Sequence, residues 1–252
     1  MSAAFHAPGT ARAIGRSLRV YHGDKSRHGA MDALYGRFLK PGDLAFDIGA
    51  HVGDRISCFR RLGARVVALE PQPGPARALR LIHGRDPQVT LVEAACGDAE
   101  GLVRLRINSA NPTVSTASDA FIGAASGAEG WLEQVWDREI EVRSTTLDAL
   151  ISRHGLPALL KIDVEGFEAH VLAGLTRPVP VISFEFTTIQ RDVAEACLAL
   201  LETLGPYRFN VALGESQQLE LGAFASAEAM GCYLRELPHS ANSGDVYAIL
   251  PN

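Results

Sequence analysis

The chain has 252 residues, of which 47% are hydrophobic, and a net charge of −5, which is enough apolar material for one α/β domain with a substantial core. Composition provides no basic face, so it argues against a nucleic-acid substrate and favours a small molecule. The four cysteines lack the spacing of a metal site or a disulfide framework, and no apolar run reaches the roughly 18 residues of a membrane span. We therefore expect a cytoplasmic protein without a membrane partner, whose oligomeric state the sequence leaves open.

The N-terminal segment, residues 1–26, is predicted to be a mobile arm outside the folded domain. It lacks any acid over its first 23 residues but carries Arg12, Arg16 and Arg19, as transit peptides and loose basic tails do. Because no compact apolar core precedes Arg19, a secretory signal is not expected. A less favoured alternative is that the arm closes over the acceptor.

Two strand-to-loop transitions carry the strongest signal of the chain. The stretch FDIGAHVGD at 46–54 predicts a strand that runs into a glycine turn and then a helix. The stretch VVALEPQP at 66–73 predicts a second strand that ends at Glu70. Glu70 lies about 20 residues past Gly49, which is the spacing of a βαβ unit that binds a nucleotide. An adenosine-bearing cofactor is therefore the first hypothesis.

The residue types in this unit favour a cationic ligand. Gly49 and Gly53 permit a positive φ and lack a Cβ, so the backbone can turn sharply and approach a ligand. A carboxylate at Glu70 can accept hydrogen bonds from two ribose hydroxyls, while Asp47 would repel a pyrophosphate and attract a positive charge. The loop reads GAHVG and not GxGxxG, so S-adenosylmethionine, a sulfonium, is favoured over NAD. The predicted cofactor residues are Asp47, Gly49, Ala50, His51, Gly53, Glu70, Pro71 and, after the third strand, Asp98.

A long polar stretch separates two predicted strands at 102–107 and 138–144. This insertion, residues 108–136, is longer than loops in compact domains usually are, and such loops are more often functional than accidental. We expect it to act as a lid over the acceptor pocket, with Trp131 and Trp136 as apolar walls. The alternative is a surface loop that packs one indole for stability.

The run LLKIDVEGFEAHVLAGL, residues 159–175, predicts a buried strand that ends at Asp163, then a tight turn and a helix. Asp163, Glu165 and Glu168 place three carboxylates near one strand end, where donor and acceptor are expected to meet. Such crowding can raise one pKa and produce a usable base, or bind a divalent cation. Asp163 and Glu165 are the predicted catalytic residues. No metal is expected, although Asp163, Glu165 and Glu185 offer oxygen ligands for Mg²⁺.

The remaining periodicity completes an alternating pattern of strands and helices. Further helices are predicted over 27–39, 54–62, 75–83, 145–155 and 189–204. Further strands are predicted over 89–95, 181–186, 207–213 and 245–250.

Together with EAACGDAEG at 93–101 and STTLDALI at 144–151, these motifs resemble the FkbM family of methyltransferases, from about residue 30 to the end. The resemblance implies an α/β, Rossmann-like class I methyltransferase fold over residues 27–252, with a seven-stranded, mostly parallel sheet, an antiparallel last strand and helices on both faces. It implies S-adenosylmethionine as donor and O-methylation of a sugar, polyketide or other natural product. Two alternatives stay open: a non-catalytic cofactor-binding protein of the same fold, and an NAD-linked oxidoreductase.

Overall fold

The computed structural model describes residues 8–23 and 25–251. Its strands are, in chain order, β1 (Leu44–Ile48), β2 (Arg65–Leu69), β3 (Val89–Val92), β4 (Ala95–Cys96), β5 (Gly101–Ile107), β6 (Arg138–Thr145), β7 (Leu159–Ile162), β8 (Val181–Thr187), β9 (Arg208–Leu213) and β10 (Ser243–Ile249). Its α-helices are α1 (Pro8–Gly23), α2 (Lys25–Tyr35), α3 (Asp54–Arg61), α4 (Pro73–His83), α5 (Asp119–Ala125), α6 (Leu147–His154), α7 (Glu168–Ala173), α8 (Arg191–Leu204) and α9 (Ala227–Glu236). Short 3₁₀ turns lie at Pro112–Val114 and His239–Ala241.

A seven-stranded sheet in the order β3-β2-β1-β7-β8-β10-β9 forms the centre of the described structure. β10 runs antiparallel to both of its neighbours, β8 and β9, whereas the other neighbouring pairs are parallel. All five residues of β1 are buried, as expected for a strand in a parallel sheet that helices cover on both faces. The predicted fold class is confirmed, including the antiparallel last strand.

Two apolar cores lie on opposite faces of this sheet. Ala45 belongs to one core and Phe46 to the other, because successive side chains of a strand point to opposite faces. On one side, Tyr35 of α2 meets Phe59 of α3 edge to face, with ring centroids 5.0 Å apart. Each such buried aromatic side chain contributes about 1.5–3 kcal/mol of apolar transfer free energy. The two cores fix β1 and therefore fix the loop that follows it.

A second, three-stranded sheet in the order β4-β6-β5 flanks the first. The predicted strands at 102–107 and 138–144 are confirmed, and they pair antiparallel as β5 and β6. The stretch predicted as one strand at 89–95 divides, since β3 ends at Val92 and β4 joins the second sheet. The insertion between β5 and β6 thus begins and ends at this smaller sheet.

The described part of the N-terminal arm is helix α1, which packs against α4 and the 3₁₀ turn at Pro112–Val114. Ala13 and Ser17, one helical turn apart, are buried, and Ile14 and Leu18 are half-buried beside them. This buried stripe was not recognised from the sequence, because the arginines of the segment are typical of a loose basic tail. Residues 8–23 therefore lie on the fold, contrary to the expectation of a mobile arm, and residues 1–7 fall outside the described residues. None of the described helices has the length and apolar character needed to cross a lipid bilayer.

Candidate functional site

A cleft opens at the carboxyl ends of β1, β2 and β7, where the strand order reverses direction and open α/β sheets bind ligands. Its volume is about 930 Å³, with the open solvent at its mouth included. The predicted site residues that line it are Asp47, Gly49, Ala50, His51, Glu70, Pro71, Asp163 and Glu165. Residues from segments that the motifs did not include also line it: Tyr21, Arg55, Thr113, Ser115 and Glu215.

The loop after β1 depends on its glycines. Gly49 has a φ of +87°, and a Cβ at this position would overlap the carbonyl oxygen of Asp163. The amides of Gly49 and Ala50 both donate to the carbonyl oxygen of Leu69, at 3.0 and 2.8 Å, which ties the loop to the end of β2. Gly53 has a φ of +84° and does not line the cleft, because it packs against Leu79 and His83 behind the loop. The loop after β1 can approach the end of β7 this closely only because Gly49 has no side chain.

Glu70 lies at the end of β2 with its carboxylate buried, at 3% exposure. One carboxylate oxygen accepts a hydrogen bond from the amide of His51 at 2.9 Å, and the other accepts one from the amide of Gln72 at 2.8 Å. Burial raises the pKa of Glu70 to about 8, although these two amides lower it. Glu70 therefore joins the loop after β1 to the start of α4 and retains free lone pairs for a ligand.

Two side chains, one at the end of β1 and one in the loop that follows it, contain buried polar atoms that lack a partner among the described residues. These atoms are Oδ2 of Asp47 and both ring nitrogens of His51. Burial, and secondly Asp54, raise the pKa of Asp47 to about 7, while burial lowers the pKa of His51 to about 4. Leaving such atoms unpaired costs about 1–3 kcal/mol each, so a polar ligand would satisfy them. The loop therefore fits a cofactor that bears positive charge and hydrogen-bonding groups.

Carboxylates crowd the end of β7 around one buried lysine. Nζ of Lys161, which is fully buried, donates to Asp163 at 3.1 Å and to Asp245 at 2.8 Å. Burial raises the pKa of Asp163, but the charges of Lys161 and Arg55, together with side-chain hydrogen bonds, hold that pKa below its usual range. Carboxylate oxygens of Asp163, Glu165 and Glu185 lie within 4.8 Å of one another. Burial and the charge of Asp163 raise the pKa of Glu165 and of Glu185 well above the usual range.

Glu165 adopts a strained backbone conformation at this strand end. Its φ of +57° lies in the left-handed region, which costs a residue other than glycine about 1–3 kcal/mol. The hydroxyl of Thr116, within the insertion, donates to the carbonyl oxygen of Glu165 at 2.6 Å and so helps to hold that conformation. Glu168 accepts hydrogen bonds from the amides of Val164 and Gly166, which is the structural role of an acid at a helix start.

The insertion contributes Thr113, Ser115 and Ala117 to the cleft, and not its tryptophans. The side chain of Trp131 packs edge to face on Phe121, with centroids 5.2 Å apart, and donates to Asn242 at 3.2 Å. Trp136 also contacts Phe121 and donates to the carbonyl oxygen of Val114 at 2.9 Å. The indoles therefore form a small core of their own, contrary to the expectation of apolar pocket walls. The role of the insertion as a lid over the acceptor stays a prediction.

Asp98 is, after Gly53, a second predicted cofactor residue that does not line the cleft. It is exposed in the turn before β5 and does not line the cleft. Its alternative interpretation, a turn residue, agrees with that position. Arg55 and Tyr21 line the cleft without having been predicted. The sequence offered a signal for Arg55, which follows the glycine loop directly, but none for Tyr21.

The Methyltransferase FkbM domain matches residues 47–211, which is more than half of the chain. The chain belongs to the FkbM methyltransferase family. The match begins at Asp47 in the glycine loop and includes Glu70, Asp163, Glu165 and Glu185. The predicted family is confirmed, and with it, at the level of the domain, the methyltransferase class and S-adenosylmethionine as its cofactor.

A curated relative is the 31-O-demethyl-FK506 methyltransferase FkbM of Streptomyces tacrolimicus, which is 32% identical over 163 residues. The matched region covers 56% of this chain and 62% of that protein, so it spans less than two thirds of the relative.

Solved methyltransferases resemble the chain at low sequence identity. A TehB-like S-adenosylmethionine-dependent methyltransferase from Corynebacterium glutamicum is 11% identical, with a TM-score of 0.48 over 97% of this chain and 100% of that one. An O-methyltransferase from Bacillus cereus, in complex with S-adenosylhomocysteine, is 12% identical, with a TM-score of 0.47 over 95% and 91% of the two chains.

Proposed function

We propose that this chain is an S-adenosylmethionine-dependent O-methyltransferase that acts on a hydroxyl of a sugar, polyketide or other natural product. The observation that carries the proposal is the buried carboxylate of Glu70, which lies at the end of β2 and is bonded to the amide of His51 in the glycine loop. The printed name of the curated relative, a 31-O-demethyl-FK506 methyltransferase, supports oxygen as the methylated atom.

The residues of the loop would hold the cofactor. Glu70 would accept hydrogen bonds from the ribose hydroxyls, and Gly49 lets the backbone approach the ligand closely. The unpaired oxygen of Asp47 would face positive charge, and Ala50, His51 and Pro71 line the same cleft. When bound, S-adenosylmethionine supplies a methyl group that its sulfonium has already activated.

The acidic cluster at the end of β7 would position the acceptor. Alignment of reacting atoms can account for about 7–11 kcal/mol of a barrier, and a general base typically adds about 10²–10⁴-fold in rate. Asp163 stays ionised because Lys161 holds it, so it suits a hydroxyl that must be oriented by a hydrogen bond. Glu165 has the higher proton affinity, because burial and Asp163 raise its pKa, so it is the better proton acceptor of the two. The same cluster with Glu185 has the geometry of a divalent-cation site.

Calorimetry with S-adenosylmethionine and with NAD, run side by side, tests the cofactor. We expect binding of S-adenosylmethionine alone, a large loss of affinity in Glu70→Ala, and an unchanged affinity in Asp98→Ala, which removes an exposed acid outside the cleft. Undiminished affinity in Glu70→Ala would contradict the proposal.

Turnover to S-adenosylhomocysteine with a panel of sugars and macrolides tests the reaction. Binding without turnover on any hydroxylated acceptor would favour the alternative of a non-catalytic cofactor-binding protein. A parallel assay with a chelator tests the metal: we expect retained activity, and its loss would assign the three carboxylates to a cation.

A further inference from the structure

Helix α1 brings an aromatic ring into the cleft from outside the family domain. Tyr21, in the last turn of α1, lines the cleft, although the family match begins only at residue 47. Its ring meets the ring of His51 edge to face, with centroids 5.9 Å apart. The next residue, His22, donates from Nε2 to the carbonyl oxygen of Val52 at 2.8 Å. The end of α1 is thus seated on the loop that the cofactor would occupy.

Three carboxylates that line the cleft lie close enough to Tyr21 to affect its pKa. Burial, and then the carboxylates of Glu215, Asp54 and Asp163, raise the pKa of Tyr21, so its phenol keeps its proton and remains a hydrogen-bond donor. Tyr21 therefore offers a protonated hydroxyl to a ligand in the cleft.

Acidic and basic side chains beside Tyr21 form a chain of ion pairs. Glu215, in the loop after β9, pairs with Arg27 at 2.8 Å and with Arg55 at 3.3 Å, and Arg55 pairs with Asp54 at 2.6 Å. The guanidinium of Arg27 also lies 5.4 Å from the centroid of the Tyr21 ring. An amino-acid group carries an ammonium and a carboxylate, so it finds complementary charges here. The side chain of Glu215 is 47% exposed, and pairs of this kind are weak and easily broken.

An apolar groove lies beside α1, between that helix, α4 and the smaller sheet. Its volume is about 1150 Å³, with open solvent included, and it is lined by side chains that include Ile14, Leu18, Ala78 and Ile140. Helix α1 also contacts α4, and this contact holds α1, and with it Tyr21, at the cleft.

We propose that Tyr21 is a positioning residue for the cofactor: from the end of α1 it covers the amino-acid end of bound S-adenosylmethionine. This inference rests on the proposed function. It assigns a cofactor contact to a segment that precedes the family domain.

The test is the affinity and dissociation rate of S-adenosylmethionine in Tyr21→Ala and Tyr21→Phe, with Val20→Ala as matched control. Val20 is the preceding residue of α1 and is 48% exposed. We expect Tyr21→Ala to weaken binding about tenfold, mainly through faster dissociation, Tyr21→Phe to weaken it about threefold, and Val20→Ala to leave it unchanged. Methylthioadenosine, which lacks the amino-acid end, should lose less than about twofold in Tyr21→Ala.

The outcomes separate this inference from the proposed function. If the wild-type chain does not bind S-adenosylmethionine, the proposed function itself fails. If it binds and Tyr21→Ala binds equally well, or loses methylthioadenosine affinity to the same degree, Tyr21 has no such role. Hydrogen exchange of α1 in the wild-type chain needs no variant: slower exchange on adding S-adenosylmethionine supports the inference, and unchanged exchange overturns it.

Discussion

Binding of S-adenosylmethionine should release a proton from Glu70. In the free protein, burial raises the pKa of Glu70 to about 8, so at pH 7 the group is ionised in about one molecule in ten. Ribose hydroxyls donate hydrogen bonds to the ionised form, and the positive charge of the cofactor stabilises it further. The affinity for S-adenosylmethionine should therefore rise with pH, by up to about tenfold, or 1.4 kcal/mol, between pH 6 and pH 7. Above pH 8 the dependence should level off.

The assay is calorimetry in two buffers of different ionisation enthalpy, which counts the protons released on binding. We expect about one proton from Glu70 at pH 7, and a further fraction from Asp47, whose pKa is about 7. The variant Glu70→Gln should lose the first contribution and keep the second. Glu93→Gln is the matched control, because Glu93 follows β3 as Glu70 follows β2 but is exposed.

The product gives a second control, since S-adenosylhomocysteine keeps the ribose but lacks the sulfonium charge. Proton release should therefore persist with the product if Glu70 holds the ribose. Binding without proton release at pH 7, or the same pH dependence in wild type and Glu70→Gln, would refute the reasoning.

In the unliganded chain, the raised pKa of Glu70 means that the folded state binds the proton more tightly than the unfolded state does. The free energy of unfolding should therefore fall as pH rises from 4.5 towards 8.

Two further predictions concern the framework of the cleft. Gly49→Ala should abolish cofactor binding and lower the unfolding midpoint, since its Cβ would overlap the backbone of Asp163. The control is Gly127→Ala, at a φ of +82° in open space, which should cost only backbone strain. Equal thermal shifts in the two variants would count against a close approach of the backbone at Gly49. Lys161→Met should destabilise the fold by about 3–5 kcal/mol in urea unfolding, because it leaves buried carboxylates unpaired, and adding Asp245→Asn should recover part of that loss. No recovery in the double variant would mean that Lys161 acts mainly through packing.

The glycine loop and Glu70 could be predicted because their signals are local. A buried strand, a turn that needs positive φ, and a carboxylate at the end of the next strand are each encoded within a few residues. Parallel strands bring their carboxyl ends to one edge of a sheet, so the expected parallel sheet places Asp47, Glu70 and Asp163 at the same edge.

The positions of Asp98 and of the two tryptophans away from the cleft depend on contacts between distant segments. Asp98 follows its strand as Glu70 does, but β4 leaves the main sheet for the smaller one and carries the next turn away from the cleft. Trp131 and Trp136 have the size of pocket walls, yet Phe121 draws both indoles into a separate aromatic core. Composition alone could not show that the indoles pack on Phe121, because an indole packs equally well on protein or ligand.

The sequence by itself determined the cofactor loop, through glycine conformation and the spacing of charge, and its resemblance to the FkbM family implied the sheet. Only the tertiary structure decided which remote groups complete the cleft: Tyr21 from α1, Glu215 from the loop after β9, and Asp245 paired with the buried Lys161. The physical reason is that their positions follow from how helices and loops pack over the sheet. Packing depends on the surfaces of many elements at once, and short motifs carry no record of it.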